Sequence, residues 1–417
     1  MKDLTAIYPS LYGKYYDEKI QNERFEFIIN KHKEIFNREE KDIALFSTSG
    51  RTEIAGNHTD HNLGRVIAAS INLDTIGSVT KRDDNKVLLN SQGFPLVEVD
   101  LSSLEVIEEE KNTTNALLRG IAASFVKRGL KIGGWNAYTT TNVLKGSGLS
   151  SSAAIEVLCA EIFNNLYNDD VLDPVELAKI GQEAENIYFG KPSGLMDQVG
   201  CAVGGIVEID FKDQKNPEIE KVSLDFEEYG YHLVIVDTKG NHANLTGEYA
   251  AISHEMKAIA AYFNASCLRE VEYETFLANI PKLKTIMAND RAILRAYHYF
   301  NENIRVEKML KALEAKDIDA FLNYVKESGA SSHKYLQNIF AYNNPEEQNV
   351  AIGLIIAESV LDGKGAYRVH GGGFAGTIQA YVPLELFEEF KNQMVAVFGE
   401  GSVTKLAIRQ KPTTRLV

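Results

Sequence analysis

The sequence predicts a globular protein in which helices and strands are mixed, and two observations support that prediction. Hydrophobic residues make up 44% and charged residues 24% of the 417 residues, which is typical of a globular protein with a substantial core. Segments with helical spacing of apolar residues also alternate along the chain with short runs rich in Val, Ile, Thr and Tyr, which indicate strands. This length permits two or three domains.

The net charge of the chain argues against two classes of binding partner. A net charge of −14 argues against a nucleic acid or an anionic membrane, although local dipoles can still bind a phosphorylated ligand. The 3 cysteines are too scattered for a disulfide framework or a zinc site. The first 30 residues lack a signal-peptide core, and no apolar run approaches the length of a membrane span. We therefore expect a cytoplasmic protein, and the sequence is compatible with a monomer.

The N-terminal part is predicted to begin with a helix over residues 16–38 and to continue mainly as strands. The buried stripe of this helix is predicted to be Phe25, Ile28, Ile29 and Ile35. Strand patterns follow over residues 43–49, 65–73, 76–82 and 86–92. A second helix is predicted over 113–129, followed by a strand over 135–143.

A stretch dense in polar side chains, 50-GRTEIAGNHTDHNLG-64, lies between the first two strand patterns. It contains Arg51, Asn57, His58, Asp60 and His61. So many polar groups between two strands predict a loop that lines a ligand. His58, Asp60 and His61 could instead bind a metal ion, but no Glu or His at helical spacing completes a zinc pattern. A solvated turn is the other alternative, and it leaves the variety of hydrogen-bonding groups unexplained.

A second polar stretch, 146-GSGLSSSAAIEV-157, forms a glycine-serine turn between a strand and a helix. The first N–H groups of a helix have no intrahelical partner and the helix dipole is positive there, so the turn predicts a phosphate or anion site. An ordinary serine-capped helix is the alternative, and the two glycines and three serines argue against it. The turn lacks the Gly-Lys-Ser/Thr ending of a P-loop and the third glycine of a dinucleotide fingerprint.

The second half of the chain contributes a further candidate site residue, Asp197. A helix over 174–190 leads into 193-SGLMDQVGCAVGG-205, where Asp197 stands among apolar residues and glycines. A buried Asp must be paired or functional, although an Asp that only caps a helix is the structural alternative. The charged residues 212–229 are predicted to be a linker.

Strands and helices alternate again after this segment. The predicted strands are 205–211, 231–238 and 402–408, and the predicted helices are 246–263, 345–361 and 384–398. The glycine-rich 371-GGGFAG-376 precedes a strand pattern rather than a helix, which excludes a dinucleotide-binding turn.

Three motifs in this order resemble the conserved motifs of the GHMP small-molecule kinases. They are 50-GRTEIAGNHTDHNLG-64, 146-GSGLSSSAA-154 and 371-GGGFAG-376. The first motif, together with 193-SGLMDQ-198, looks specifically like that of the galactokinase family, although it is divergent. Galactokinases usually read Gly-Glu-His-x-Asp-Tyr where this chain has 56-GNHTDH-61, and Pro where it has Ser49. The matching segments extend from about residue 43 to residue 382.

The resemblance implies a two-domain α+β protein with a GHMP-kinase-like fold and an active site in the cleft between the domains. Residues 1–215 would form the N-terminal domain, which carries the sugar-binding loop and the ATP phosphate loop, and residues 216–417 the C-terminal domain. It also implies ATP and Mg²⁺, and phosphoryl transfer to O1 of galactose or a close galactose-like sugar.

The same resemblance implies a role for each site residue. Asp197 would lie beside O1 of the sugar, and Arg51 near the transferred phosphoryl group. The residues expected to bind the sugar are Asn57, His58, Thr59, Asp60, Gly194, Asp197 and Tyr249. The residues expected to bind ATP are Gly146, Ser147, Gly148, Leu149, Ser150, Ser151 and Ser152. The residues expected to hold Mg²⁺ are Ser152 and Glu185. The third motif would support the nucleotide loop rather than contact the substrate.

Other functions stay open at the level of the sequence. The protein could be a sugar and ATP sensor without turnover, or a GHMP kinase for a non-sugar alcohol. It could also phosphorylate galacturonate or arabinose, because Asn57 stands where galactokinases have a Glu that, by resemblance, reaches the C6 hydroxyl. Asn57 removes one negative charge and can both donate and accept hydrogen bonds. Galactose remains the leading substrate because His58, Asp60, Asp197 and Tyr249 match.

Overall fold

The computed structural model describes residues 3–14, 16–144, 148–191, 193–240, 245–342 and 344–417. Its α-helices are α1 Tyr8–Tyr12, α2 Glu18–Phe36, α3 Thr114–Lys127, α4 Ser151–Asn168, α5 Pro174–Glu183, α6 Met196–Ala202, α7 Thr246–Tyr262, α8 Tyr273–Ile286, α9 Asp290–Glu314, α10 Ile318–Ser331, α11 Asn349–Leu361 and α12 Phe387–Phe398. Its strands are β1 Ala44–Ala55, β2 Arg65–Lys81, β3 Lys86–Ser91, β4 Val97–Asp100, β5 Trp135–Thr141, β6 Ile206–Asp210, β7 Glu218–Val222, β8 Tyr231–Asp237, β9 Ala366–His370, β10 Thr377–Pro383, β11 Val403–Leu406 and β12 Thr414–Arg415.

Side-chain caps explain where several helices begin. Asp17 accepts a hydrogen bond from the backbone N–H of Ile20 at the start of α2, and Thr113 accepts one from Ala116 at the start of α3. Asp173 caps α5, whose first residue is a proline that needs no N–H partner. These caps satisfy backbone donors that the helix itself leaves unpaired, so they set the helix starts close to the predicted positions.

The first sheet has 8 strands in the described part of the chain. The strand order is β12-β1-β2-β5-β3-β4, and β6 pairs with both β2 and β7. Neighbouring strands are antiparallel except β3 and β5, which run parallel. Helices α3, α4 and α6 contact the sheet, and α5 packs on these three helices. Phe46, Trp135 and Phe163 lie in the core between the strands and helices.

The second sheet consists of 4 antiparallel strands in the order β11-β8-β10-β9. Helices α10, α11 and α12 pack against it, and α9 packs against α10 and against β1, β2 and β7 of the first sheet. One hydrophobic cluster joins residues of both halves of the chain, such as Ile67 and Leu149 with Ile235, Phe321 and Tyr381. The mixed α+β architecture is therefore as expected. The predicted division at residue 215 stays a prediction, and β7 and β12 of the first sheet lie beyond it.

Some predictions about individual elements were wrong. The segment 212–229 is not a plain linker, because β7 lies within it and pairs with β6 as an edge strand whose charged residues face solvent. The strands predicted over 65–73 and 76–82 form one continuous strand, β2. In α2, Ile35 is 39% exposed, and the buried position in that turn belongs to His32, whose ring bonds the backbone oxygen of Ser78.

No helix in the part of the chain that the structure describes combines the length and the apolar character needed to cross a bilayer.

Candidate active site

Asp197 is the centre of a compact hydrogen-bonding group at the start of α6. Its Oδ1 accepts hydrogen bonds from Arg51 Nε at 3.0 Å and from Arg51 Nη2 at 2.6 Å, and its Oδ2 accepts one from Ser150 Oγ at 2.6 Å. Burial raises the pKa of this carboxyl, but Arg51 and the Ser150 hydroxyl outweigh that effect and hold the pKa below its ordinary value. The side chain is still 37% exposed, so the charged carboxylate can be reached from solvent.

Arg51 is brought to this point by close packing between β1 and α6. Its backbone N–H donates to the Leu149 carbonyl at 3.0 Å, beside a β-bulge in β1. A Cβ added to Gly200 of α6 would lie 2.8 Å from the Cβ of Arg51, so only glycine lets the helix approach this closely. Arg51 also donates to the Gly148 carbonyl. One arginine therefore joins the first motif, the glycine-serine turn and Asp197.

The glycine-serine turn presents the N-terminus of α4 without a side-chain cap. Ser150 has a φ of 60°, and its hydroxyl is directed to Asp197 instead of to the helix. The first N–H groups of α4 therefore stay available to a ligand, as an anion site requires. Leu149 is buried, whereas Gly148 and Ser152 are exposed. Gly146 and Ser147 lie outside the described residues.

A cavity of about 570 Å³ adjoins the start of α4. Ser151, Ser152 and Ile155 form its edge on the helix, and Leu89 and Val97 contribute apolar surface from β3 and β4. This volume lies in the range of small-molecule sites. A lining that combines apolar side chains with the hydroxyl groups of serines and threonines suits a ligand that has both a flat ring and polar groups.

The sugar loop, which we define as residues 56–60, lies against the SGLMDQ segment and the third motif. A Cβ added to Gly194 would lie 2.8 Å from Asp60 Oδ2, so the two residues are neighbours. Burial raises the pKa of Asp60, and Asp197 adds to that effect while His58 opposes it. Thr59 is buried and donates to the Gly56 and Arg65 carbonyls, which closes the loop on itself.

Three consecutive glycine carbonyls of the third motif each accept a hydrogen bond from an expected sugar-binding residue. Gly371 accepts from Asn57 Nδ2 at 2.7 Å, Gly372 from His58 Nε2 at 3.0 Å, and Gly373 from the Tyr249 hydroxyl at 3.0 Å. The third motif also adjoins the glycine-serine turn. A Cβ added to Gly148 of that turn would lie 3.3 Å from Nδ1 of His370, the residue that precedes the third motif. The third motif thus connects both loops of the site.

Glu185, on a π-helical turn over Ala184–Phe189, is held in a cluster of charged and amide groups. Its Oε2 accepts from Gln198 Nε2 at 3.0 Å and its Oε1 from Lys191 Nζ at 2.7 Å. Gln198 Nε2 also donates to buried Glu156, whose Oε1 has no partner among the described residues. Burial and the nearby Glu185 raise the pKa of Glu156 to about 8.

The surroundings of Glu185 fit a hard divalent cation. The carboxyl groups of Glu185 and Glu156 are both buried and lie near each other and near Lys191, and carboxylate and hydroxyl oxygens are ligands that suit Mg²⁺. Ser152 lies exposed at the start of α4, where its hydroxyl could contribute one such oxygen. By contrast, no group of three His, Cys, Asp or Glu side chains suited to a metal ion is found among the described residues, so a zinc site at His58, Asp60 and His61 has no support.

Sequence reasoning missed the buried residues of the C-terminal half that bond β1 and the sugar loop. Arg368 of β9 is fully buried, pairs with Glu53 of β1 and donates to the Ile54 carbonyl at 2.7 Å. His298 of α9 donates from Nε2 to the Asn57 carbonyl at 2.9 Å. The available signal was Arg368, a charged residue between Tyr367 and Val369 in a short strand pattern. Glu53 lies in the polar stretch 50–64 and did not stand out there.

Comparison with known proteins agrees with this geometry. The sequence profile described as "GHMP kinases N terminal domain" matches residues 115–205, and the profile described as "Galactokinase galactose-binding signature" matches residues 30–81. A galactokinase of Clostridium tetani is 30% identical over 357 residues, which cover 84% of this chain and 86% of that protein. The chain belongs to the galactokinase family. The resemblance found in the three motifs is thereby confirmed.

Solved structures place this galactokinase family member among the GHMP kinases by fold. The crystal structure of Lactococcus lactis galactokinase complexed with galactose matches with a TM-score of 0.78 at 26% identity, covering 94% of this chain and 99% of that one. The mevalonate kinase of Methanococcus jannaschii matches with a TM-score of 0.62 at 15% identity, covering 87% and 98% of the two chains. The chain is a phosphotransferase that acts on a sugar hydroxyl, with ATP as its co-substrate.

Proposed function

We propose that this protein transfers the γ-phosphoryl group of ATP to O1 of galactose. The observation that supports the proposal best is the group formed by Asp197, Arg51 and Ser150. This group joins the SGLMDQ segment to the glycine-serine turn directly before α4. Phosphoryl transfer depends mainly on positioning and charge stabilisation, and this group supplies a carboxylate, a guanidinium and a helix N-terminus at one point.

Asp197 acts chiefly as an acceptor that orients the attacking hydroxyl. Arg51 occupies Oδ1 twice and Ser150 occupies Oδ2 once, which leaves one acceptor position on Oδ2 for the O1 hydroxyl of the sugar. A carboxylate with a lowered pKa is a weak base. It therefore accepts the proton as phosphoryl transfer makes O1 more acidic, and not in a separate earlier step.

The nucleotide is bound by the turn over 146–152 and the adjoining cavity. The phosphates contact the N-terminus of α4, and the base lies against the apolar lining that Leu89, Val97 and Ile155 provide. Ser152 and Glu185 would hold Mg²⁺, which would neutralise phosphate charge when bound. His58, Asp60, Gly194 and Tyr249 bind the sugar.

The test is a coupled assay of ADP release over galactose, arabinose, galacturonate and a non-sugar alcohol such as mevalonate. We expect galactose to give the highest kcat/KM, and Asp197→Asn to lower kcat by about 10²-fold or more while the variant stays folded. Near-normal turnover by folded Asp197→Asn would contradict the role of Asp197.

Sugar and ATP binding by calorimetry without ADP release would instead support a sensor. A higher kcat/KM for galacturonate or arabinose than for galactose would replace galactose as the substrate and leave the sugar-1-kinase reaction intact.

A further inference from the structure

The side chain of Asn57 has every hydrogen-bonding position occupied by the protein. Its Nδ2 donates to Glu53 Oε1 at 3.1 Å and to the Gly371 carbonyl at 2.7 Å. Its Oδ1 accepts from Asn338 Nδ2 at 2.9 Å and from Ser332 Oγ at 3.4 Å. An asparagine amide can donate two hydrogen bonds and accept two, and Asn57, which is fully buried, makes all four.

The partners of Asn57 explain why an amide and not a carboxylate stands at this position. Two of the four atoms that face it, Glu53 Oε1 and the Gly371 oxygen, can only accept hydrogen bonds. A carboxylate at residue 57 would place oxygen against both of them and a second negative charge beside Glu53. The buried carboxylate stands at residue 53 instead, where Arg368 pairs with it.

The backbone around Asn57 is tied to the C-terminal half as well. His298 Nε2 donates to the Asn57 carbonyl, and the Gly56 N–H donates to Glu302 Oε1 at 3.3 Å. Glu302 accepts a second hydrogen bond from Ser328 Oγ at 2.6 Å and pairs with Arg305. Helices α9 and α10 therefore hold the segment from which His58 and Asp60 project.

We propose that Asn57 is a positioning residue, which ties the sugar loop to the Glu53–Arg368 ion pair and the third motif and does not itself select the sugar at C6. This inference rests on the proposed function only for the identity of the sugars to be compared. It replaces the expectation that Asn57 contacts the C6 hydroxyl, because no hydrogen-bonding position of its amide is left for a ligand.

A steady-state experiment separates positioning from sugar recognition. We would measure kcat and KM for galactose, 6-deoxygalactose and arabinose with the wild type, Asn57→Ala and Asn338→Ala. Asn338 is the matched control, because it is buried behind Asn57 and bonds its Oδ1. We expect both variants to raise the sugar KM about tenfold for each sugar, with kcat changed less than about threefold and the ratios among the sugars kept within about twofold.

A residue that reads C6 would behave differently. Asn57→Ala would then change the preference of galactose over 6-deoxygalactose by tenfold or more, whereas Asn338→Ala would leave that preference intact. That outcome would overturn the proposal.

A second experiment tests the hydrogen bonds of Asn57 to Glu53 and the third motif without measuring turnover. It therefore stays decisive even if no sugar in the panel is phosphorylated. Asn57→Asp keeps the shape of the side chain and would be made in the wild type and in a Glu53→Gln background. We expect Asp at residue 57 to lower the midpoint of urea unfolding much less in the Glu53→Gln background, since the neighbouring negative charge is gone. Failure to fold in the wild type with recovery in Glu53→Gln has the same meaning. An equal shift of the unfolding midpoint in the two backgrounds would refute the positioning role of the Asn57–Glu53 hydrogen bond.

Discussion

At the scale of single residues, the properties of Asp197 depend on two neighbours that reach it from different motifs. Arg51 comes from the first motif and Ser150 from the second, and each donates to a different oxygen of the carboxylate. Both interactions stabilise the charged form and lower its pKa despite burial. The carboxylate is therefore held in one orientation as an acceptor, which is the state that phosphoryl transfer to a hydroxyl requires.

Replacing Ser150 with Ala tests this arrangement. The loss of the hydroxyl removes one interaction that lowers the pKa of Asp197, so the pKa rises and the acidic limb of the kcat/KM profile moves to higher pH. We also expect kcat/KM at neutral pH to fall about three- to tenfold. The measurement is kcat/KM from about pH 3 to about pH 9, because the limb of Asp197 lies below the ordinary pKa of a carboxyl group. An acidic limb that does not move would show that Ser150 does not act through Asp197.

At the scale of elements, the site is built where three tight turns meet. The turn before α4 packs on His370 at the end of β9, and the carbonyls of residues 371–373 bond the sugar loop and Tyr249. Two features favour glycine at Gly148: its φ of 69°, and the ring of His370, whose Nδ1 would lie 3.3 Å from an added Cβ. The third motif thus contacts both the sugar loop and, through the adjacent His370, the glycine-serine turn before α4.

A pair of glycine variants tests whether the fit of this turn matters for ATP binding. We expect Gly148→Ala to raise the KM for ATP about tenfold, because the added methyl group moves the turn away from His370 and misplaces the N-terminus of α4. Gly129→Ala is the control, since Gly129 has a similar φ of 74° and nothing lies within 4 Å of its added Cβ. Steady-state kinetics with varied ATP provide the measurement. Equal KM values for the two variants would contradict a role of the His370 contact.

At the scale of the whole molecule, the two halves of the chain are joined by buried polar groups as well as by a shared core. Glu53 and Arg368 pair between β1 and β9, and His298 connects α9 to the sugar loop. Burial lowers the pKa of His298 to about 4, as it does for His32 between α2 and β2, and it lowers that of His61 to about 3. These rings are therefore neutral in the folded protein near pH 7.

Burial of these rings predicts that the histidines destabilise the folded state in mild acid. Below pH 6.5 the unfolded chain binds protons that the folded rings do not bind, so the histidine contribution to the free energy of unfolding decreases as the pH falls from about 6.5 to about 4. Buried Glu156 and Glu161, whose pKa values are raised to about 8, contribute with the opposite sign. Each histidine contributes up to about 1.4 kcal/mol per pH unit in this window. Urea unfolding from pH 4 to pH 8 measures how the free energy of unfolding depends on pH.

His32→Asn is the informative variant for this prediction, because His32 lies away from the site and Asn can keep a hydrogen bond to Ser78. We expect the stability of the wild type, measured relative to that of His32→Asn, to decrease as the pH falls below 6.5. Parallel pH profiles of the two proteins would rule out His32 as a cause.

Particular residues show which parts of the candidate site and the core could be predicted from the sequence alone. Asp197 could be predicted because a lone Asp among apolar residues and glycines must have a partner, and the SGLMDQ motif indicated which family it belongs to. The arrangement around Asn57 could not be predicted, because its amide partners Gly371 and Asn338 are 314 and 281 residues away in the chain. Ile35 was placed in the core of α2 by its spacing, yet His32 lies there because β2 supplies polar partners for its ring.

The sequence by itself determined the local features of this protein. Caps such as Asp17 and Asp173, the glycine-serine turn before α4 and the order of the three motifs all act over a few residues, so spacing and residue type are sufficient to predict them. Only the tertiary structure decided how those features meet. It brought Arg51 to Asp197 across 146 residues and filled all four hydrogen-bonding positions of Asn57. The physical reason is that a buried polar group must find partners, and packing of distant segments decides which groups are within reach.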